Sequence, residues 1–138
     1  MESDMEQSRV DFLINRINCC PFNRANGIYA AEVREGYARI EVDLTGDSLN
    51  IWGVPHGGLL FALADVASGL AAQSTHDGKA VTVSANINFL QSSREKHLTA
   101  VGRERKSGRS TGFFDVEITD TSGALLATGQ YVMHYSSK

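Results

Sequence analysis

The chain has 138 residues, of which 42% are hydrophobic and 21% charged, a length and composition typical of one globular domain. Its formal net charge of −3 leaves no basic excess, so we expect neither nucleic acid nor a membrane as a partner. The acidic first residues lack the basic and then apolar pattern of a secretion signal. Cys19 and Cys20 are adjacent, where a disulfide would be strained, so we expect reduced thiols and a cytoplasmic location.

The first predicted element is a short amphipathic helix. Within residues 4–17, apolar side chains recur at the i, i+3, i+4 and i+7 spacing of one helix face: Val10, Leu13, Ile14 and Ile17. Cys20-Pro21 and the Asn26-Gly27 turn are expected to close this segment. We therefore divide the chain into an N-terminal helix and loop, residues 1–26, and a main domain, residues 27–138.

The main domain is predicted to hold strands and one long helix. Two strands are expected at residues 28–34 and 37–44, and the helix at about residues 57–74. Alternating apolar residues predict four more strands, at residues 81–89, 98–106, 114–119 and 125–135. Hairpin-type turns favour an antiparallel sheet, and a sheet with one apolar helix to cover it has to curve around that helix. The predicted fold class is α+β.

Asp65 lies in the middle of this apolar helix, where a carboxylate carries a large desolvation cost. On a helical wheel the large aliphatic residues lie opposite it, and its own side holds Gly58, Phe61, Ala62, Ser68, Gly69 and Ala72. Three interpretations follow. Asp65 is a structural residue bonded by a neighbouring strand, a lone surface charge, or a catalytic or ligand-binding carboxylate in a cleft.

The start of the helix favours the catalytic interpretation. Gly57 and Gly58 leave the first backbone N–H groups unobstructed, and these groups carry partial positive charge that suits a developing oxyanion. Gly58 and Asp65 lie about 10 Å apart along one helix, too far to act on one carbonyl group. A second, antiparallel copy of the helix in a homodimer would bring the two groups together.

A motif precedes the helix. Asn50-Ile51-Trp52-Gly53-Val54-Pro55-His56-Gly57-Gly58, followed seven residues later by Asp65, resembles the hotdog-fold acyl-CoA thioesterases of the phenylacetyl-CoA thioesterase (PaaI-like) type. The resemblance implies a single hotdog domain, in which a curved antiparallel sheet surrounds a central helix. It also implies dimers that pair into tetramers, with active sites shared across the dimer interface.

The resemblance also implies roles for individual residues. Asp65 would act as general base on water or as nucleophile, and the Gly58 N–H would polarise the thioester carbonyl group. Asn50 would position that carbonyl group or the attacking water. His56 would support the loop or bond the thioester or Asn50. Ser84, on the polar face of the following strand with Thr82, would help place water. Both Asn50 and His56 also have a structural interpretation, Asn50 as a turn former and His56 as a buried imidazole. We favour the catalytic role for Asn50 and leave both interpretations of His56 open.

The substrate residues are less well defined. Gly57, Trp52, Phe61 and Phe89 are candidates for lining the acyl site. Coenzyme A carries phosphates, and the one dense basic segment includes Arg103, Lys106, Ser107, Gly108 and Arg109. We expect this segment to meet the nucleotide, although a solvated strand end would have the same composition.

Other functions fit the sequence less well. A non-catalytic acyl-CoA-binding hotdog protein would not need the Asn50 and Asp65 pair. A hotdog hydratase or dehydratase would carry other histidine motifs, which are missing here. The histidines show no metal-ligand spacing, so we expect no metal and no cofactor beyond the coenzyme A of the substrate: His56, His76, His97 and His134.

Overall fold

The structure, a computed structural model, describes residues 5–137. Within them it contains a short 3-10 helix at Gly46–Ser48, three α-helices and six strands. The helices are α1 (Gln7–Asn18), α2 (Pro21–Ala25) and α3 (Gly57–Gln73). The strands are β1 (Ile28–Arg34), β2 (Tyr37–Asp43), β3 (Lys79–Phe89), β4 (His97–Ser107), β5 (Thr111–Asp120) and β6 (Leu125–Ser136).

The six strands form one antiparallel sheet in the order β1-β2-β4-β5-β6-β3. Helix α3 contacts all six strands, which requires the sheet to curve around it. The predicted α+β hotdog fold is therefore confirmed, as a single domain. Strand β5 begins at Thr111, three residues before the predicted start, and the other predicted strands differ by two residues or fewer at their ends.

The N-terminal segment confirms one prediction and corrects another. Leu13 of α1 is fully buried, and the other apolar residues of that face pack against the same core. The first residue of the predicted helix, residue 4, lies outside the described residues. Cys20-Pro21 does not simply end α1, because Pro21 starts the second helix, α2. Proline suits the first position of a helix, where its missing N–H is not needed.

The predicted buried face of α3 is confirmed, and fewer residues than predicted are exposed on the side of Asp65. The aliphatic side is buried as expected: Leu59, Leu60, Leu63, Ala67 and Leu70. Ser68 and Ala72, which the helical wheel places beside Asp65, are also fully buried. The Ser68 hydroxyl donates to the carbonyl oxygen of Ala64, so its burial leaves no unpaired group. Within residues 5–137, no helix is long and apolar enough to cross a membrane.

Close packing of α3 on the sheet depends on Gly102 of β4. A Cβ atom at Gly102 would lie 2.8 Å from the carbonyl oxygen of Ala67 and 3.1 Å from the amide nitrogen of Ser68. Both atoms belong to the helix backbone, which cannot move without shifting the whole helix. Only glycine allows α3 to approach β4 this closely.

The alternation predicted for β3 is wrong in its first half. Val81 and Val83 are 54% and 63% exposed, whereas the pattern placed them with the apolar face of the strand. The register with β6 shifts between Thr82 and Ser84, which marks a β-bulge. One extra residue in a strand reverses the faces of the residues that follow. Thr82, before the bulge, faces α3, whereas Ser84, after the bulge, lies on the opposite face and is exposed.

We predict that Gly102→Ala lowers the free energy of unfolding by about 1–3 kcal/mol, because overpacking forces the backbone apart. Gly46→Ala is the matched control, since a Cβ atom there would have no neighbour within 4 Å. Its effect should stay within about 0.5 kcal/mol. Urea unfolding of both variants measures the difference, and equal stabilities would contradict the close-packing account.

Candidate functional site

Asp65 lies on the open face of α3, partly buried, and one strand residue contacts its carboxylate. The Thr82 hydroxyl donates to Asp65 Oδ1 at 2.5 Å and also lies 3.4 Å from Met133 Sδ. The carboxylate accepts no other hydrogen bond from the described residues, so Oδ2 is available to a ligand or to water. Asp65 lines a concave surface that encloses about 360 Å³, together with Val66 and Gly69.

The structure assigns Thr82 the place beside Asp65 that the resemblance gave to Ser84. Ser84 follows the β3 bulge, is exposed, and does not donate a hydrogen bond to Asp65 of its own chain. The sequence shows Thr82 and Ser84 on one alternating face and carries no sign of the bulge between them. The sequence alone therefore does not distinguish the two hydroxyl groups, and the register with β6 does.

Tyr131 of β6 binds the backbone of α3 at Phe61, one turn before Asp65. It is fully buried, and its hydroxyl donates to the backbone carbonyl oxygen of Phe61 at 2.8 Å. Burial and the nearby charge of Asp65 raise the pKa of Tyr131, so the phenol stays neutral and remains a donor. The Phe61 ring contacts Tyr131, with ring centroids 5.3 Å apart, and is 40% exposed on the open face of α3.

His56 caps the start of α3. Its Nδ1 accepts a hydrogen bond from the Gly58 N–H at 2.9 Å, which places the proton of the neutral ring on Nε2. Leu59 and Leu60 donate their N–H groups to the His56 carbonyl oxygen. The Gly57 N–H makes no hydrogen bond to any described residue. The free donor at the helix start is therefore Gly57, and not Gly58 as predicted.

Asn50 organises the loop before the helix. Its Oδ1 accepts hydrogen bonds from the N–H groups of Trp52 at 2.9 Å and Val54 at 3.3 Å. Its backbone N–H donates to the carbonyl oxygen of Val54, which closes the turn. This is the turn-forming role that the sequence left open. No described residue accepts a hydrogen bond from its Nδ2, which leaves that amide group free to donate to a ligand.

A cleft of about 310 Å³ lies at the start of α3, with Asn50 and Gly57 on its polar side. Its apolar lining includes Leu60, Phe89 and Leu90. Trp52 does not line this cleft: it is 74% exposed at the tip of the Asn50 loop, because the turn directs its side chain outward. Phe61 lies outside the cleft as well, on the face that carries Asp65. Asp65 opens into a different concave surface, so one chain holds the two halves of the predicted site apart.

The basic segment lies at the opposite end of the helix. Glu104 donates its N–H to the Gly36 carbonyl oxygen, and Gly36 donates to the Ser74 hydroxyl just beyond α3. The β4–β5 hairpin is thus about 24 Å from Gly57 along the helix axis. Arg105 pairs with Asp115 at 2.9 Å. The guanidinium of Arg103 lies 4.8 Å from the centre of the Tyr37 ring.

Lys106 and Arg109 are the free cations of the hairpin. Both are exposed, and neither forms an ion pair with a described residue. Gly108 donates its N–H to the Thr111 carbonyl oxygen at 2.8 Å, so this N–H closes the turn and is not free for a phosphate.

A second basic group, near the start of α3, was missed. Arg94 and Lys96 are exposed and line a concave surface of about 400 Å³ together with Leu49 and Gly53. A Cβ atom on Gly53 would lie 3.7 Å from Arg94 Nη1, so Arg94 lies directly beside the Asn50 loop. Two cations separated by Glu95 do not form a dense basic run, and only the fold brings them to this loop.

Comparison with known proteins assigns the family. The family model described as "Thioesterase superfamily" matches residues 53–127. The acyl-coenzyme A thioesterase PaaI of Escherichia coli (strain K12) is 37% identical over 99 residues, which cover 70% of this chain and 69% of PaaI. The chain belongs to the thioesterase superfamily. The family that the Asn50–Asp65 motif resembles is thereby confirmed.

Solved structures support the assignment. The PaaI protein from the phenylacetic acid degradation operon of E. coli matches with a TM-score of 0.83 and 28% identity, over 93% of this chain and 96% of that one. The smu.793 protein of Streptococcus mutans UA159, solved bound to acetyl CoA, matches with a TM-score of 0.75 and 31% identity, over 80% and 90%. A relative from Archaeoglobus fulgidus is 33% identical, but the aligned region spans only 62% of its length and 70% of this chain.

Proposed function

We propose that the protein hydrolyses an acyl-CoA thioester to the free acid and coenzyme A. The observation that carries this proposal is the Asp65 carboxylate, bonded by the Thr82 hydroxyl and open on one side, on a helix whose first N–H group is free. The acyl-CoA thioesterase PaaI and the S. mutans protein bound to acetyl CoA support coenzyme A as the leaving group. The apolar lining of the cleft at Gly57 suits an apolar acyl group.

Thioester hydrolysis needs a hydrogen-bond donor to the carbonyl oxygen and a base or nucleophile near the carbonyl carbon. The Gly57 N–H would donate to the thioester oxygen, assisted by the partial positive charge of the helix start. Asp65 would take a proton from water as that water attacks the carbonyl carbon, or would attack that carbon itself to form an acyl-aspartyl anhydride, which water then hydrolyses to the free acid and Asp65. The C–S bond then breaks and the thiolate of coenzyme A takes up a proton. Asn50 Nδ2 would hold the carbonyl group or the water, and His56 would keep the Gly58 N–H out of the site.

Two chains are needed to assemble these groups. Gly57 and Asp65 lie about 12 Å apart along one helix, whereas a general base must come within hydrogen-bond reach of its water. In a pair of antiparallel helices related by a two-fold axis, contacts are reciprocal. If Gly57 faces Asp65 of the partner subunit, Phe61 lies midway and meets its own copy on the axis. The 40% exposure of Phe61 on the face of Asp65 supports this arrangement.

The edge of the sheet supports the same dimer. β3 is an edge strand beside the open face of α3, and Val81, Val83 and Phe89 are each more than half exposed on it. Exposed apolar side chains on an edge strand are typical of an interface with another chain. We propose that a second copy covers this surface. The pairing of dimers into a tetramer and the cytoplasmic location remain predictions.

In the proposed dimer, the basic β4–β5 hairpin of one subunit lies near the substrate of the other. In an antiparallel pair with Gly57 opposite Asp65 of the partner subunit, the end of the partner's helix extends about 12 Å beyond the start of this chain's helix. Lys106 and Arg109 of one subunit would then approach the substrate bound at Gly57 of the other, where Arg94 already lies. Cations from both subunits would meet the phosphates of coenzyme A.

The first prediction concerns Asp65. Asp65→Asn should lower kcat by about 10²–10⁴, because the positioned base or nucleophile is lost. Asp47→Asn, an exposed acid in the 3-10 helix, is the charge-matched control and should keep wild-type turnover. Thiol release from a panel of acyl-CoA thioesters measures both. A wild-type protein that binds these thioesters and cleaves none would instead indicate a non-catalytic binding protein.

The second prediction separates Thr82 from Ser84. Thr82→Val keeps the shape of the side chain, removes the donor to Asp65, and should lower kcat/KM by about tenfold or more, as expected for a hydrogen bond to a charged group. Thr82→Ser should keep most of the activity. Ser84→Ala should change kcat/KM less than twofold. A larger loss in Ser84→Ala than in Thr82→Val would return the role to Ser84.

A further inference from the structure

Lys106 and Arg109 can recognise a phosphate only if the hairpin that carries them is held in place. Each is a long side chain on or beside a tight turn, and both are exposed. Ordering such side chains and a mobile loop at the moment of binding would reduce affinity, and a pre-organised loop avoids that loss. In this protein, hydrogen bonds from Tyr135 of the neighbouring strand β6 hold the hairpin in place.

Tyr135 bonds to the hairpin on both sides of its turn. Its backbone N–H donates to the Ser110 carbonyl oxygen at 2.9 Å, and its hydroxyl lies 2.8 Å from Ser107 Oγ. Ser107 Oγ in turn donates to Glu104 Oε1 at 3.0 Å. Because the Ser107 proton goes to Glu104, the Tyr135 hydroxyl donates to Ser107. The two donors of Tyr135 therefore hold the residues on either side of Gly108 and Arg109.

The Tyr135 side chain is itself fixed. It is 7% exposed, and its ring stacks on His76 with centroids 3.5 Å apart and an angle of 7° between the planes. The space for its hydroxyl exists because residue 112 is glycine: a Cβ atom there would lie 2.1 Å from the Tyr135 hydroxyl oxygen. Burial raises the pKa of Tyr135, which keeps the hydroxyl protonated and able to donate.

We propose that Tyr135 is a positioning residue for coenzyme A: it holds the β4–β5 hairpin so that Lys106 and Arg109 meet the phosphates of the substrate. The inference rests on the proposed function of the hairpin. Tyr135 itself is buried behind the hairpin and acts through Ser107 and Ser110. Its effect is therefore confined to the phosphate-bearing half of the substrate and does not extend to the reacting thioester.

The test compares two thioesters of one acyl group, the acyl-CoA and the N-acetylcysteamine thioester, which carries no phosphate. Tyr135→Phe keeps the packed ring and removes the hydroxyl donor. It should raise KM for the acyl-CoA about fivefold, as for the loss of one hydrogen bond, and leave kcat unchanged. It should not change kcat/KM for the N-acetylcysteamine thioester. Tyr29→Phe is the control, since the Tyr29 hydroxyl has no hydrogen bond to a described residue.

Calorimetric titration with coenzyme A gives a readout independent of turnover. Tyr135→Phe should weaken coenzyme A binding about fivefold in the wild-type background. It should have no further effect after Lys106→Ala and Arg109→Ala, because a residue that acts only through these cations is silent once they are gone.

Three results would overturn the inference: equal losses with both thioesters, undiminished coenzyme A binding in Tyr135→Phe, or no coenzyme A binding by the wild type. If the wild type cleaves neither thioester but Tyr135→Phe still weakens coenzyme A binding, the proposed hydrolysis fails and the positioning role stands.

Discussion

The backbone of α3 rests directly on the backbone of β4 at Gly102, and the arrangement of the site follows from this contact. The Ala67 carbonyl oxygen lies only 2.8 Å from the place that a Cβ atom of residue 102 would occupy, and the sheet curves around the helix. One side of α3 is thereby committed to the core. Asp65, on the other side, lies at the boundary between the core and the open surface, beside the strand that ends the sheet.

That position explains how a carboxylate is tolerated in an apolar helix. Asp65 is only partly buried, and Thr82 supplies a hydrogen bond that offsets part of its desolvation. Asp65 lines a concave surface, and no described cation forms an ion pair with it. A carboxylate that is hydrogen-bonded on one side and accessible on the other is suited to act on a substrate. The site of a single chain is incomplete, because Gly57, whose N–H is free, lines a different cleft.

The sequence predicted the parts of the molecule that repeat a pattern. The 3.6-residue period of α3 and the alternation in β2 and β6 gave the fold, because each such element buries one continuous face. It failed at β3, where a single bulge residue moved Val81 and Val83 outward and brought Thr82 to Asp65. A bulge leaves no compositional sign, since its cause is the pairing with β6.

Individual hydrogen bonds were equally out of reach. The Asn50–Asp65 motif predicted which loop and helix form the site, but two adjacent glycines offer two N–H groups. Only the position of the His56 ring shows that Gly58 is occupied and Gly57 is free. Likewise, the composition of the sequence indicated the cations of the β4–β5 hairpin. Only the fold shows that Arg94 lies beside the Asn50 loop. Trp52 was placed in the acyl site by its proximity in sequence, and the turn at Asn50 directs it outward.

A complementation experiment tests most directly whether the site is shared between two chains. Asp65→Asn removes the carboxylate, and Gly57→Pro removes the free N–H at the first helical position, where proline is well tolerated. His56, with φ −66° and ψ 134°, already has a backbone conformation that suits a following proline. Each variant alone should be nearly inactive. A heterodimer of the two, isolated through separate affinity tags, should recover about half of wild-type turnover, because one of its two shared sites is intact. A heterodimer no more active than its parents would show that each chain uses its own Gly57 and Asp65.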